Sequence, residues 1–175
     1  MLMLEKMKLD ATLSKEKKIE LIFDEATKTS YEILTNHFDN NILRYYIYDS
    51  SIAVEELGLS QELIYQLVDD YISQILNTIC QFDKLIKNIK ETQGEEKEIN
   101  TAELKNLAHK NLGVVKNLRI EDAKFLLNDL MTKDDVEHLE ACVNGLESCA
   151  IKLNPRYAFD VLELIKLKNS CYGAL

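Results

Sequence analysis

Leu104–Leu130 reads LKNLAHKNLGVVKNLRIEDAKFLLNDL. Wound at about 3.6 residues per turn, Leu104, Leu107, Ala108, Val115 and Leu118 share one face with the i, i+3, i+4 spacing that suits a core. His109 falls on the other face. Its own stripe runs Ala102, Lys105, His109, Gly113, Lys116, so one turn past the imidazole there is no side chain and two turns past it there is an ammonium. The pattern predicts a helix with one buried side and, on the other, an accessible nucleophile beside a gap. Asn111 falls within the apolar stripe, and a buried amide there needs a side chain or a water between helices as its partner. Leu112 is expected to add exposed apolar surface next to the histidine. After Leu118 a new stripe begins at Ala123, Leu126, Leu127 and Leu130, which predicts a break within Arg119–Asp122.

Outward from this stretch the chain keeps the same character. Five glycines, one proline and no tryptophan in 175 residues leave few turn formers for an all-β protein, and the long runs rich in Leu, Ile, Lys and Glu suit helices. Ser14 is the expected N-cap of a helix over Leu13–Phe38 with Ile19, Ile22, Phe23, Ala26, Ile33 and Leu34 on its packed side. The tyrosine-rich NILRYYIYD, Asn41–Asp49, reads as a connector, and Ser50–Leu57 as a short helix that Gly58 stops. Ser60 caps a long helix whose stripe is Leu63, Leu67, Tyr71, Ile75, Ile79, Phe82, Ile86 and Ile89. The polar run Lys90–Asn100 turns the chain into the histidine helix. Thr132 is the expected cap of the next helix, Val136–Leu153. Pro155 then marks a boundary before a last helix carrying Ala158, Val161, Leu162, Ile165 and Leu167. The class is all-α, with four principal antiparallel helices and short loops.

Charge and cysteine use bound the chemistry. With 21 basic and 30 acidic residues the formal charge is −9, which argues against a nucleic-acid partner, since neutralising phosphates requires a clustered positive surface. Cys80, Cys142, Cys149 and Cys171 have no CxxC spacing and read as reduced, buried thiols. His138 and Cys142 sit four apart on a helix but supply only half of a zinc site, so no metal is expected. MLMLEKMKLD is charged by its fifth residue, and no run approaches the ~20 apolar residues of a membrane span. A soluble, cytoplasmic protein without membrane contact is expected.

The residues around His109 resemble the histidine-containing phosphotransfer (HPt) domains of two-component phosphorelays, whose motif reads roughly A-H-x-L-K-G-x-A-x-x-L-G. Ala108 and His109 match its first two places, and Gly113, Val115 and Leu118 match the places four, six and nine residues after the histidine. Asn111 and Leu112 stand where the family has Leu and Lys, and Arg119 stands at the closing glycine. The likeness extends over Tyr48–Leu153. It implies an antiparallel four-helix HPt-like bundle over 48–153 and leaves both ends unexplained; the residues themselves read as an N-terminal helical extension over 1–47 and a C-terminal helix over 154–175 packed on the bundle. It also implies His109 as phosphoacceptor in a carrier protein rather than a turnover enzyme. Response-regulator receiver domains and a hybrid sensor kinase are the implied partners. No cofactor is implied for this chain, because Mg²⁺ belongs to the partner receiver. Lys105, Lys110, Gly113 and Lys116 are placed to support the phosphoryl group, and Leu112 to dock the partner. Two other readings stay open: a receiver-binding module without efficient transfer, and a helical adaptor or dimer.

Overall fold

The computed structural model describes residues 2–7, 9–38, 43–92 and 101–172, and contains helix but no strand among them. The helices are α1 (Met3–Lys6), α2 (Lys15–Asn36), α3 (Ser51–Leu57), α4 (Gln61–Thr92), α5 (Ala102–Leu118), α6 (Glu121–Thr132), α7 (Val136–Leu153) and α8 (Pro155–Tyr172), with a 3₁₀ turn at Leu43–Tyr45. None of the described helices is long and apolar enough to cross a membrane.

Local chemistry places most of these ends. Ser14 caps α2 by accepting from the Lys17 amide at 3.2 Å, and Ser60 accepts from the Leu63 amide at 3.3 Å. Gly58 closes α3 at φ 64°, the left-handed conformation glycine adopts without a Cβ penalty. α5 ends where its apolar stripe ends, at Arg119, also left-handed at φ 59°. Thr132 proves to be the last residue of α6 rather than a cap, because its hydroxyl donates back to the Asn128 carbonyl at 2.9 Å. Asp135 caps α7 instead, accepting from the His138 amide at 2.8 Å. From residue 93 onward the polar run ending at Asn100 lies outside the described residues, as do Asn41, Ile42 and the side chain of Cys171.

α4, α5, α6 and α7 each pack on the next, and α7 packs back on α4. Polar contacts fix their directions. The Lys90–Glu140 pair at 2.6 Å joins the end of α4 to the start of α7, and Asn154 donates to Asp69 at 2.8 Å at the other end, so these two helices run antiparallel. α6 and α7 are likewise opposed, with His138 on Asp129 at 2.8 Å and Lys152 near Asp122 at 3.4 Å. α5 and α6 are joined through Arg119 and Ile120 alone, while Lys105 at the far end of α5 meets Asp134 just past α6. An ion pair from Glu56 to Arg119 sets α3, and with it the start of α4, beside the end of α5.

The two ends of the chain close over this ring. α2 lies along α7, its Ser30 near Lys152 at 3.2 Å and its His37 ring 6.5 Å from that of His138, and α8 packs on α4, α2 and α7. One cluster of buried side chains therefore runs from Leu2 through Ile22 and Leu34 to Leu162 and Ile165, without a gap at residue 47 or 153. Phe23, Leu63 and Leu167 are exceptions among the expected stripe residues, being 39%, 39% and 58% exposed.

Packing between the layers is tight at Gly145 on α7. A Cβ there would lie 2.8 Å from one methyl of the fully buried Leu126 and 3.2 Å from the other. Gly145→Ala is expected to cost roughly 1–3 kcal/mol through overpacking, less about 1 kcal/mol of regained helix propensity. Urea midpoints of the two proteins measure the difference, and an alanine variant more stable than the parent contradicts the close fit.

Candidate functional site

α5 is positioned from behind by its apolar face. Leu104, Ala108, Val115 and Leu118 are each at most 3% exposed, and Leu107 and Val114 pack at the margin of the core. The opposite face carries His109, which is exposed and has no side-chain hydrogen bond or ion pair among the described residues. Lys110 and Lys116 are exposed alongside it, again without an ion-pair partner among those residues. Gly113 lies one turn on, and a Cβ built there meets nothing within 4 Å.

That open space carries an argument. A glycine inside a helix costs about 0.5–1 kcal/mol relative to alanine, and at Gly113 neither a close packing partner nor a positive φ offsets the cost. Gly113→Ala is accordingly expected to stabilise the protein by about that amount in denaturant titrations. The residue leaves the flank of the imidazole bare at the expense of stability.

Two neighbours of the histidine stand differently from the sequence expectation. Leu112 is only 4% exposed and forms part of the core, so it offers no apolar docking surface. It sits about 60° around the helix from His109, on the flank shared with Lys105, and the short α5–α6 connection brings α6 against that flank. Lys105 itself is engaged, its ammonium 2.8 Å from Asp134 across the bundle edge. Such a half-exposed pair is worth under about 1 kcal/mol, so it restrains the ammonium only weakly.

Asn111 is 1% exposed and is held at both ends of its amide. Its oxygen accepts from Gln74 on α4 at 2.9 Å and its nitrogen donates to the Leu107 carbonyl at 2.9 Å. Gln74 is a residue the sequence reading passes over; the signal for it was the predicted need of a buried asparagine for a partner on a neighbouring helix. On α4 itself Gln74, Asn77 and Gln81 are exposed.

The half-site read at His138 and Cys142 serves packing. His138 bonds Asp129 and packs against Phe38 with ring centroids 4.8 Å apart and planes tilted by 58°, while burial pushes the Cys142 thiol well above its ordinary pKa. No group of three or more His, Cys, Asp and Glu side chains among the described residues is arranged to hold a metal ion. Comparison with known proteins adds no identification: no family model, curated protein or solved structure matches the chain.

Proposed function

We propose that the protein is a phosphoryl carrier of the HPt type, in which His109 accepts a phosphoryl group from a receiver-domain aspartate and donates it to another. The observation that carries this reading is an exposed imidazole beside a glycine that leaves its flank open, on a helix whose reverse face is buried. The ring of α4 to α7 is read as the HPt-like bundle, with α2 and α8 as additions to it. Further support comes from Arg119, because the family's closing glycine falls on a residue that is left-handed here at φ 59°.

The chemistry asked of this chain is small. A ring nitrogen of neutral His109 attacks the phosphorus of the partner's aspartyl phosphate; the P–N bond forms as the P–O bond breaks, and the aspartate leaves as carboxylate. The partner receiver contributes Mg²⁺ and the alignment of its own phosphoryl group. Lys110 and Lys116 lie near enough along α5 to temper the added negative charge, and Gly113 lets the receiver's loops approach the ring.

Incubation with receiver domains phosphorylated by a small-molecule donor tests the reading. Acid-labile, base-stable label on the wild-type chain is expected, falling to background in His109→Gln. Absence of label from every receiver of the source organism overturns the carrier. A second reading, a module that binds receivers without transfer, is favoured by Leu112, which puts a buried apolar residue where the family has an ammonium. Receiver binding without label, unaffected by His109→Gln, selects it.

A further inference from the structure

On a different part of the molecule a cavity of about 750 Å³ opens between α2, the 43–48 connector and the end of α7. Its walls are Phe23 and Tyr31 from α2, Tyr45, Tyr46 and Ile47 from the connector, and Leu153. Of ten large hydrophobic side chains left exposed among the described residues, four (Phe23, Tyr31, Tyr45 and Ile47) gather around this one opening. A concentration of that kind marks a binding surface rather than the scattered exposure of an ordinary exterior.

The lining includes one ion pair, Lys152 with Asp122. Its two halves are unequally accessible: the lysine side chain is 18% exposed and the aspartate 5%. The ammonium is also loosely held, 3.4 Å from Asp122 and 3.2 Å from the Ser30 hydroxyl, with one of its three N–H donors lacking a partner among the described residues. The cavity therefore presents the under-used Lys152 ammonium, and the hydroxyl of Tyr48, likewise unpartnered among those residues, within aromatic and aliphatic walls. Charge decides the type of acceptor. Among the described residues of the lining, the two lysines, Lys152 and Lys28, are balanced in number by two aspartates, Asp122 and Asp24, which leaves no net positive charge there to hold an anion.

We infer that this cavity binds an uncharged, ring-bearing small molecule whose carbonyl-type oxygen accepts a hydrogen bond from Lys152. Its volume falls in the range of about 300–1,000 Å³ typical of small-molecule sites, and mostly apolar walls with a few convergent polar groups are the usual form of such sites. The rings of Tyr31 and Tyr45, 5.9 Å apart and inclined at 54°, offer aromatic faces to a flat ligand at the mouth. The site does not depend on the histidine chemistry of α5 and stands or falls separately from it.

The test uses the full chain and prodan, an uncharged naphthyl ketone whose emission shifts to the blue in apolar surroundings. Saturable binding of one dye per chain is expected, together with a blue shift. Thr27→Trp, which fills the mouth from an exposed position on α2, and Tyr31→Ala, which removes a wall, are each expected to weaken it at least about tenfold with helical circular dichroism unchanged. The analogue with a propyl chain in place of the propionyl group is expected to bind about tenfold more weakly, the loss of one charge-assisted hydrogen bond. Binding that neither variant alters, or no saturable binding, overturns the site. Equal affinity for the two dyes overturns the Lys152 contact. Self-association of the chain that Thr27→Trp abolishes would instead seat a second copy there and overturn the small-molecule assignment.

Discussion

Replacing Lys152 by methionine is expected to lower the unfolding free energy by about 3 kcal/mol, the low end of the range for breaking a buried ion pair. The methionine fills similar space, so the loss is electrostatic. Asp122 lies at the start of α6, 95% shielded along its side chain, and the ammonium at 3.4 Å is its only cationic partner among the described residues. The low end applies because the carboxylate keeps other donors, the Cys149 thiol and the Ala123 amide at 2.8 Å. Adding Asp122→Asn to the methionine variant should recover much of the loss, since the asparagine oxygen can still accept from that amide without a buried charge. Urea unfolding of the two single variants and the double variant gives the coupling directly. A double variant no more stable than Lys152→Met would mean that the buried charge is not the source of the loss.

The second large effect concerns Glu147 and pH. This side chain is only 2% exposed, on the face of α7 that meets the N-terminal segment, and its Oε1 accepts from the Met3 amide at 2.6 Å. Burial outweighs that hydrogen bond and the nearby Lys6, and raises its pKa from 4.5 to about 7. A carboxyl with a raised folded-state pKa keeps its proton in the native protein after the unfolded chain has released it. Stability from this group is therefore present below pH 4.5 and declines as pH rises towards 7, by about 3 kcal/mol in all. Glu147→Gln keeps the acceptor for Met3 and removes the titration. The variant should match the parent near pH 4 and exceed it by about 2–3 kcal/mol at pH 8. Parallel pH profiles for the two proteins would show that the carboxylate is not penalised in the fold.

What the sequence made readable was governed by local rules. Gly58, Ser14, Pro155 and the phase shift after Leu118 each mark a helix end through backbone or capping chemistry confined to a few residues, and all four lie at helix ends. The exposure of His109 could be read for a similar reason: it lies opposite the centre of a strong apolar stripe. Leu112 could not, because it sits at the edge of that stripe, and only the nearness of α6 decides on which side of the edge it falls. Thr132 and Asp135 are both good caps in isolation; the choice between them was made by a hydroxyl bonding back into the preceding turn. The aromatic cavity was the least legible feature. Its parts come from four separated segments, and the Lys152–Asp122 pair joins residues 30 positions apart.

The way α2 and α8 lie over the ring has a practical bearing on how such a chain can be cut or recombined. A fragment trimmed to Tyr48–Leu153 would uncover the α7 surface that Ile22, Ala26, Ile33 and Leu34 now cover and the α4 surface beneath Leu162. Moving the ring of α4 to α7 into another scaffold thus means carrying α2 and α8 with it, and gene fusions are better joined outside α2 and α8 than at the edge of the motif.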